Sequence, residues 1–502
     1  MFSQTELPDK PTRQLSGRGQ AALGAFYDLP DSTGRVSSRL VKEDKPGTCL
    51  AESLVIDVKH PLHKDDPSPI LQADISFATK SDKTRVVVSN QPAFTVADGN
   101  ELLGLDQLIL GHKRNPKTLA SEESAHPEAI AKSIADMPTD IKKQLAYAIY
   151  ISQLNGDESL HTGQFMVERE REGAKTIKKI QRIDFGALGR YADSRQRSGD
   201  IDPLHTSSAY ANSGQLGKDY VSYLLQDKEV RDHLLSLWAQ TDLEQVKDAA
   251  STRFTEQINH LGVLGLADKQ TNRGLTASED QALTQGREAI NGFYKQLTQV
   301  PKSLKLPDLG IKQQVLKLVG SPSATDIKKE DVAPLPVVDI KKQSHAVAVQ
   351  SLKQKYLETL ESRCLQMQTL AKQEKIQADK LRQIEGIFRP LRIVGAPLTP
   401  LGKAISEIIV QQGLKPSEQM VRVQAKLDEY TRKHQGLVEQ GLLEKIKGIV
   451  SGTGLQSQPM AMRRDQLSAL RQSSDNPLTR TPSDSPMTQQ SDETEDPTNS
   501  PR

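Results

Sequence analysis

Apolar and polar positions change period along the chain, and the changes mark its organisation. Leu71, Ala73, Ile75 and Phe77 interleave with Gln72, Asp74 and Ser76, and Val86, Val87 and Val88 follow the turn residues Ser81, Asp82 and Lys83. An alternating run, a polar turn and a β-branched run in succession predict a β-hairpin. Upstream, two strand-like runs flank the cluster Pro30, Asp31, Ser32, Thr33 and Gly34, the second covering residues 35–42. After Pro46 and Gly47 the spacing of Leu50, Leu54 and Val58 predicts a helix with Thr48 as its N-cap. Residues 1–16 show no period and are expected to be flexible.

From residue 139 the period becomes helical, with Ile141, Leu145, Ile149 and Ser152 on one stripe and Thr139 at the N-cap position. Short strand-like runs follow at 165–167 and 180–183, then helical patterns at 216–239, 243–261 and 278–298, with Tyr220, Leu224, Leu234 and Trp238 as core candidates. Pro301, Pro307, Pro322, Pro334 and Pro336 mark 301–344 as a linker. Beyond it Leu352, Tyr356, Leu360, Cys364, Met367, Ala371, Ala378 and Leu381 recur at spacings of mostly three or four, until Pro390 and Pro397 break the pattern. Such a stripe predicts a helical bundle or coiled coil over 345–452, completed by helices near 402–412 and 417–450. Residues 453–502 are rich in Ser, Thr, Pro, Gln and Asp, which predicts a disordered tail.

With 502 residues the chain is long enough for more than one core. A net charge of +2 provides no global field toward nucleic acid, which is not expected as a partner. Only Cys49 and Cys364 are present, which suits a reducing compartment. No apolar run is long enough for a membrane span, and Met1 to Glu6 has no signal-peptide character. His112, His126, His161 and His205 lack ligand-like spacing, and neither a Gly-x-Ser-x-Gly elbow nor a phosphate loop ending in Gly-Lys-Ser/Thr occurs.

One constellation carries chemistry. Phosphoryl transfer from ATP needs a cation on the phosphates, a carboxylate to hold it, a carboxylate on Mg²⁺ and a covering Gly-rich turn. Lys42 ends a strand, Glu52 lies on the next helix, Asp184 follows a strand in Arg182-Ile183-Asp184-Phe185-Gly186, and Gly17 and Gly19 precede the first strand.

Residues 156–167, Gly-Asp-Glu-Ser-Leu-His-Thr-Gly-Gln-Phe-Met-Val, together with Ile183-Asp184-Phe185-Gly186, resemble the catalytic and metal-binding loops of kinase-like domains in Legionella-type effectors of the Dot/Icm type IV secretion system. The pattern is similar to that of the N-terminal domain of the effector LepB. The resemblance covers roughly residues 15 to 260. It implies an α+β fold: a two-lobed, diverged kinase-like domain over 17–300, followed by the helical region and the tail. It also implies ATP and Mg²⁺ as cofactors, with Gly17, Gly19, Lys42 and Glu52 on the nucleotide and Asp184 and Gln164 on the metal.

Measured against kinase spacing, Gln164 fills the usual Asn slot and Ser159 the usual Asp slot, so both catalytic-loop positions are altered. Asp157 or His161 is left as the substitute acid or base. His161 also reads as an ordinary loop histidine, Lys42 with Glu52 as a surface pair, and Gly17 with Gly19 as hairpin glycines. An acidic block near the C-terminus, Asp492 to Asp496, looks like a Dot/Icm secretion signal. The expected location is the bacterial cytoplasm before translocation and the host cytoplasm afterwards. The expected partners are the secretion machinery, a host protein or lipid target, and a second copy through 345–450. Three classes stay open: transferase, pseudokinase, and a helical scaffold that binds no nucleotide.

Overall fold

The computed structural model describes residues 2–8, 10–14, 23–30, 35–80, 83–110, 127–157, 164–173, 176–183, 185–186, 188, 202–204, 221–298, 345–393, 398–411, 414–433 and 440–452. The described residues fall into two compact units, one within 1–439 and one within 440–452.

The first unit is mixed α+β. Strands β1 (Gln4–Glu6), β2 (Arg13–Gln14), β3 (Leu23–Pro30) and β4 (Val36–Glu43) precede helix α1 (Pro46–Ser53), and β5 (Asp74–Thr79) and β6 (Arg85–Pro92) form the hairpin read from the alternation. Together the strands make one sheet in the order β1-β5-β6-β4-β3-β2, antiparallel except for β1 against β5. One face of it is covered by helices, with Ile75, Phe77 and Val87 in the main core, while Leu29, Val41, Ala78 and Val88 cluster on the other.

The N-terminal residues expected to be flexible instead contribute β1 and β2, and Phe2 packs edge-on against Phe77 with centroids 5.4 Å apart. A strand of three residues is too short to show a period. Helix α1 begins earlier than the Thr48 cap predicts, because Pro46 has the fixed φ that suits the first turn and lacks the N–H that would go unpaired there. It stops at Ser53, so Val58 lies beyond it.

A second sheet holds β7 (Asn100–Gly104), which helices α2 (Leu105–Leu110), α3 (Pro127–Ala135) and α4 (Thr139–Leu154) separate in sequence from β8 (Phe165–Glu170) and β9 (Ile177–Arg182); its order is β7-β8-β9. Pro138, not Thr139, occupies the cap position of α4. Ile70 and Arg182 form a parallel bridge, tying the segment after α1 to β9.

The helical remainder comprises α5 (Val221–Gln226), α6 (Lys228–Ala239), α7 (Leu243–Leu261), α8 (Val263–Asn272), α9 (Ala277–Thr298), α10 (His345–Ile393), α11 (Pro400–Val410) and α12 (Pro416–Lys433). What reads as one helix before Ala239 is divided at Asp227, whose carboxylate accepts from the Glu229 and Val230 amides and so starts α6 afresh.

The helical region after the linker is not a coiled coil set apart from the first domain. Leu352, Tyr356, Leu360, Cys364, Met367 and Ala371 of α10 enter the main core, and Tyr356 donates to the Leu54 carbonyl at 3.3 Å. The apolar stripe is thus covered by the chain's own α6, α7 and α9. Pro390 sits in the last turn of α10 and does not end it, since there it removes only one helical hydrogen bond. The second unit contributes one described helix, α13 (Gln440–Ser451). No helix among the described residues is long and apolar enough to cross a membrane.

Candidate functional site

Lys42 stands opposite Ser89 on β6 and opposite Gly24 on β3. Directly paired residues point to the same face of a sheet, so Lys42 and Ser89 share the face on which α1 lies. Glu52 projects from α1 between them. Its Oε1 accepts from Lys42 Nζ at 2.6 Å and its Oε2 accepts from Ser89 Oγ at 2.6 Å. The Lys42 and Glu52 side chains are 12% and 7% exposed, so this is a sheltered pair and not the surface pair that the sequence alone allows. Sheltered charges lose hydration, and they are tolerated where geometry and extra hydrogen bonds offset that loss; Ser89 supplies such a bond. On the other side of Lys42, Gly24 has no side chain to close off the strand.

The helix that carries Glu52 is fixed by backbone packing. A Cβ on Gly47 would lie 2.6 Å from the Gly292 carbonyl carbon, so α1 and α9 touch main chain to main chain. Cys49, one turn before Glu52, is fully buried, and burial pushes its thiol up to about 12.

A second cluster forms where α4 ends. Gly156 adopts a left-handed φ of 65°, Asp157 N donates to the Ser152 carbonyl and Gly156 N to the Gln153 carbonyl, each at 3.0 Å. This helix ending turns Asp157 inward. Its carboxylate meets Arg182 Nη2 at 3.1 Å, with neither side chain exposed. The Arg182 guanidinium also lies over the Phe185 ring, 4.7 Å from its centroid. Asp157, read from sequence as a substitute base, is therefore engaged in a buried ion pair.

Gln164 is buried, and its carbonyl accepts from Ile183 N at 2.9 Å, so the position before β8 and the strand leading to Asp184 are joined directly. Phe185 and Leu188 are buried, and Gln296 Nε2 donates to the Gly186 carbonyl at 3.4 Å. Gly292, which contacts α1, and Gln296, which holds this turn, are one helical turn apart on α9. The helix bearing Glu52 and the turn beginning at Phe185 thus dock on neighbouring turns of one helix.

Gly17, Gly19, Ser159, His161 and Asp184 lie outside the described residues. Ser89 and Arg182 are the participants that sequence reading misses; the signal for Ser89 is its position just after the Val86–Val88 run, on the strand beside Lys42. Among the described residues no group of three or more His, Cys, Asp or Glu is arranged to hold a metal ion.

No protein-family model matches the chain, and no curated protein matches it. Among solved structures it is similar to the Helicobacter pylori proinflammatory kinase CtkA, with 13% sequence identity, a TM-score of 0.27, and coverage of 55% of this chain and 94% of that one. A likeness at that level assigns neither fold nor activity here.

Proposed function

We propose that the chain contains a diverged, kinase-like nucleotide-binding domain, closer to a pseudokinase than to an active transferase, within an effector that a type IV Dot/Icm machinery delivers into a host cell. The observation that carries the nucleotide reading is Glu52 held at both oxygens, by Lys42 and by Ser89. A lysine kept in place by a fixed carboxylate on a sheltered strand has the charge and the donors to bind and orient nucleotide phosphates, so the donor set fits that group. Mg²⁺, when bound with ATP, would neutralise phosphate charge, and Asp184 and Gln164 are the residues that would hold it. Lys42 orients the phosphates, Glu52 orients Lys42, and Ser89 orients Glu52.

Transfer is disfavoured by two features. Ser159 stands at the general-base slot, and a serine does not accept a proton near neutral pH. Asp157, its nearest substitute, is paired with Arg182. Delivery is supported by the acidic residues Asp492 to Asp496. The protein would then move from bacterial to host cytoplasm and act there on a protein or lipid target. A scaffold without nucleotide is the second reading, favoured by Val410 and Val421, which are exposed on the contacting helices α11 and α12.

Restoring the kinase pattern tests the pseudokinase part. Ser159→Asp with Gln164→Asn should raise ATP turnover at least ~10-fold over a low starting level. Brisk, Asp184-dependent phosphoryl transfer by the unaltered chain overturns it. For delivery, a translocation reporter should lose host-cell entry when residues 489–502 are removed, and undiminished entry excludes them as the signal.

A further inference from the structure

The segment between α1 and β5 carries a histidine cluster that takes no part in the Lys42–Glu52 arrangement. His63 ends a short 3-10 turn, Pro61–His63, and is buried. Its Nδ1 lies 2.5 Å from Asp66 Oδ2, its Nε2 lies 2.7 Å from Nε2 of His233 on α6, and its ring stacks on Tyr147 with centroids 4.2 Å apart. His60 makes a second contact with α6, its Nε2 3.1 Å from the Leu237 carbonyl, and its Nδ1 accepts from Leu62 N.

These contacts limit the proton count. Two ring nitrogens 2.7 Å apart need one hydrogen between them. With His63 Nδ1–H directed at Asp66, the neutral pair is complete when His233 Nε2–H donates to His63 Nε2. One added proton is tolerated: His63 becomes a cation between the Asp66 carboxylate and the His233 lone pair. A second puts two N–H groups and two positive charges face to face, and the contact must part.

We propose that the His63–His233 contact is an acid-sensitive latch, which holds the 57–70 segment against α6 at neutral pH and releases it as the pH falls. The segment is placed to matter. Pro69 O accepts from Arg182 N at 2.7 Å, Ser68 O accepts from Gln181 at 3.0 Å, and Ile56 N, immediately before the segment, donates to Asn155 at 2.8 Å. Release therefore loosens the connection between α1, the end of α4 and β9.

The surrounding groups set the direction. Burial lowers His63 and His60, and burial with neighbouring His63 and Lys143 lowers His233 to about 4. Asp66 opposes this and favours the first proton, while Lys143 and Tyr147 approach from α4 and Asp57 lies near Tyr147. An opened segment leaves its histidines near their ordinary 6.5. The open form then binds more protons than the closed one between those values, so the latch is fully held above about pH 6.5 and is lost progressively toward about pH 4. Each extra proton bound by the open form changes the opening constant by at most ~10-fold per pH unit.

Hydrogen exchange on the full chain, corrected for intrinsic chemistry, tests this. Between about pH 6.5 and about pH 4.5 the His63 and Asp66 amides should lose at least ~10-fold in protection, and the loss should flatten in His63→Gln with His233→Gln. Unchanged protection, or an equal loss in the folded variant, overturns the latch. NMR titration of the unaltered chain covers a variant that does not fold: His233 should titrate well below His residues of ordinary value, in step with the exchange, and a midpoint near 6.5 overturns the proposal.

Discussion

Asp157 and Arg182 meet at 3.1 Å with no side-chain surface exposed on either. Removing one member takes a fully buried charged partner from the other, which costs up to about 3–5 kcal/mol. Asp157→Ala and Arg182→Ala should each lower the urea midpoint accordingly, and Asp157→Leu with Arg182→Met should be milder than either. If Asp157→Ala leaves stability unchanged and lowers turnover, the carboxylate is a base after all.

Ser89 is expected to matter through Glu52. Ser89→Ala removes a hydrogen bond to a charged group, worth roughly 1.5–3 kcal/mol in a buried setting. Thermal denaturation should show the loss, and Ser89→Thr, which keeps the hydroxyl, should recover part of it. A neutral Ser89→Ala would mean that Lys42 alone fixes Glu52.

Gly47 sits where two effects compete. Alanine gains up to about 1 kcal/mol of helix propensity, but its Cβ would meet the Gly292 main chain at 2.6 Å, and overpacking of this kind costs roughly 1–3 kcal/mol. The main chain cannot yield as a flexible side chain can, so Gly47→Ala should destabilise. A stabilised variant would show that α1 and α9 can move apart freely.

Both cysteines are buried, and burial pushes each thiol up to about 12. At about pH 8 the thiolate fraction is then on the order of 10⁻⁴, and the nucleophile is the thiolate. Neither should react with a thiol reagent until the chain is unfolded in denaturant. Rapid stoichiometric labelling of the folded protein would contradict the burial of α1 and α10.

Much of the framework is legible before any coordinates. Ile75 and Phe77 alternate with Asp74 and Ser76 because they enter the helix-covered core, and the unbroken Val86 to Val88 run belongs to a strand with apolar clusters on both faces. Lys42 and Glu52 are recognisable as a strand cation followed by a helical carboxylate. What stays hidden depends on tertiary placement. Ser89 gains its meaning only from the register that sets it across from Lys42. Asp157 looks available in sequence, yet Gly156 in the left-handed region turns it toward Arg182. The stripe on α10 reads as a coiled-coil seam because periodicity reports that a face is covered without saying by what, and here the cover is the same core that holds α1.

The central claim is that Lys42, fixed by Glu52 and Ser89, is a nucleotide-phosphate ligand, and calorimetric titration of the full chain with Mg²⁺-ATP tests it most directly. The unaltered protein should bind one nucleotide, and Lys42→Ala, with its fold verified by circular dichroism, should bind at least ~10-fold more weakly, since an ion pair with phosphate in a sheltered site is worth more than 1.4 kcal/mol. Absence of binding heat at saturating nucleotide, or binding that survives Lys42→Ala undiminished, would contradict it.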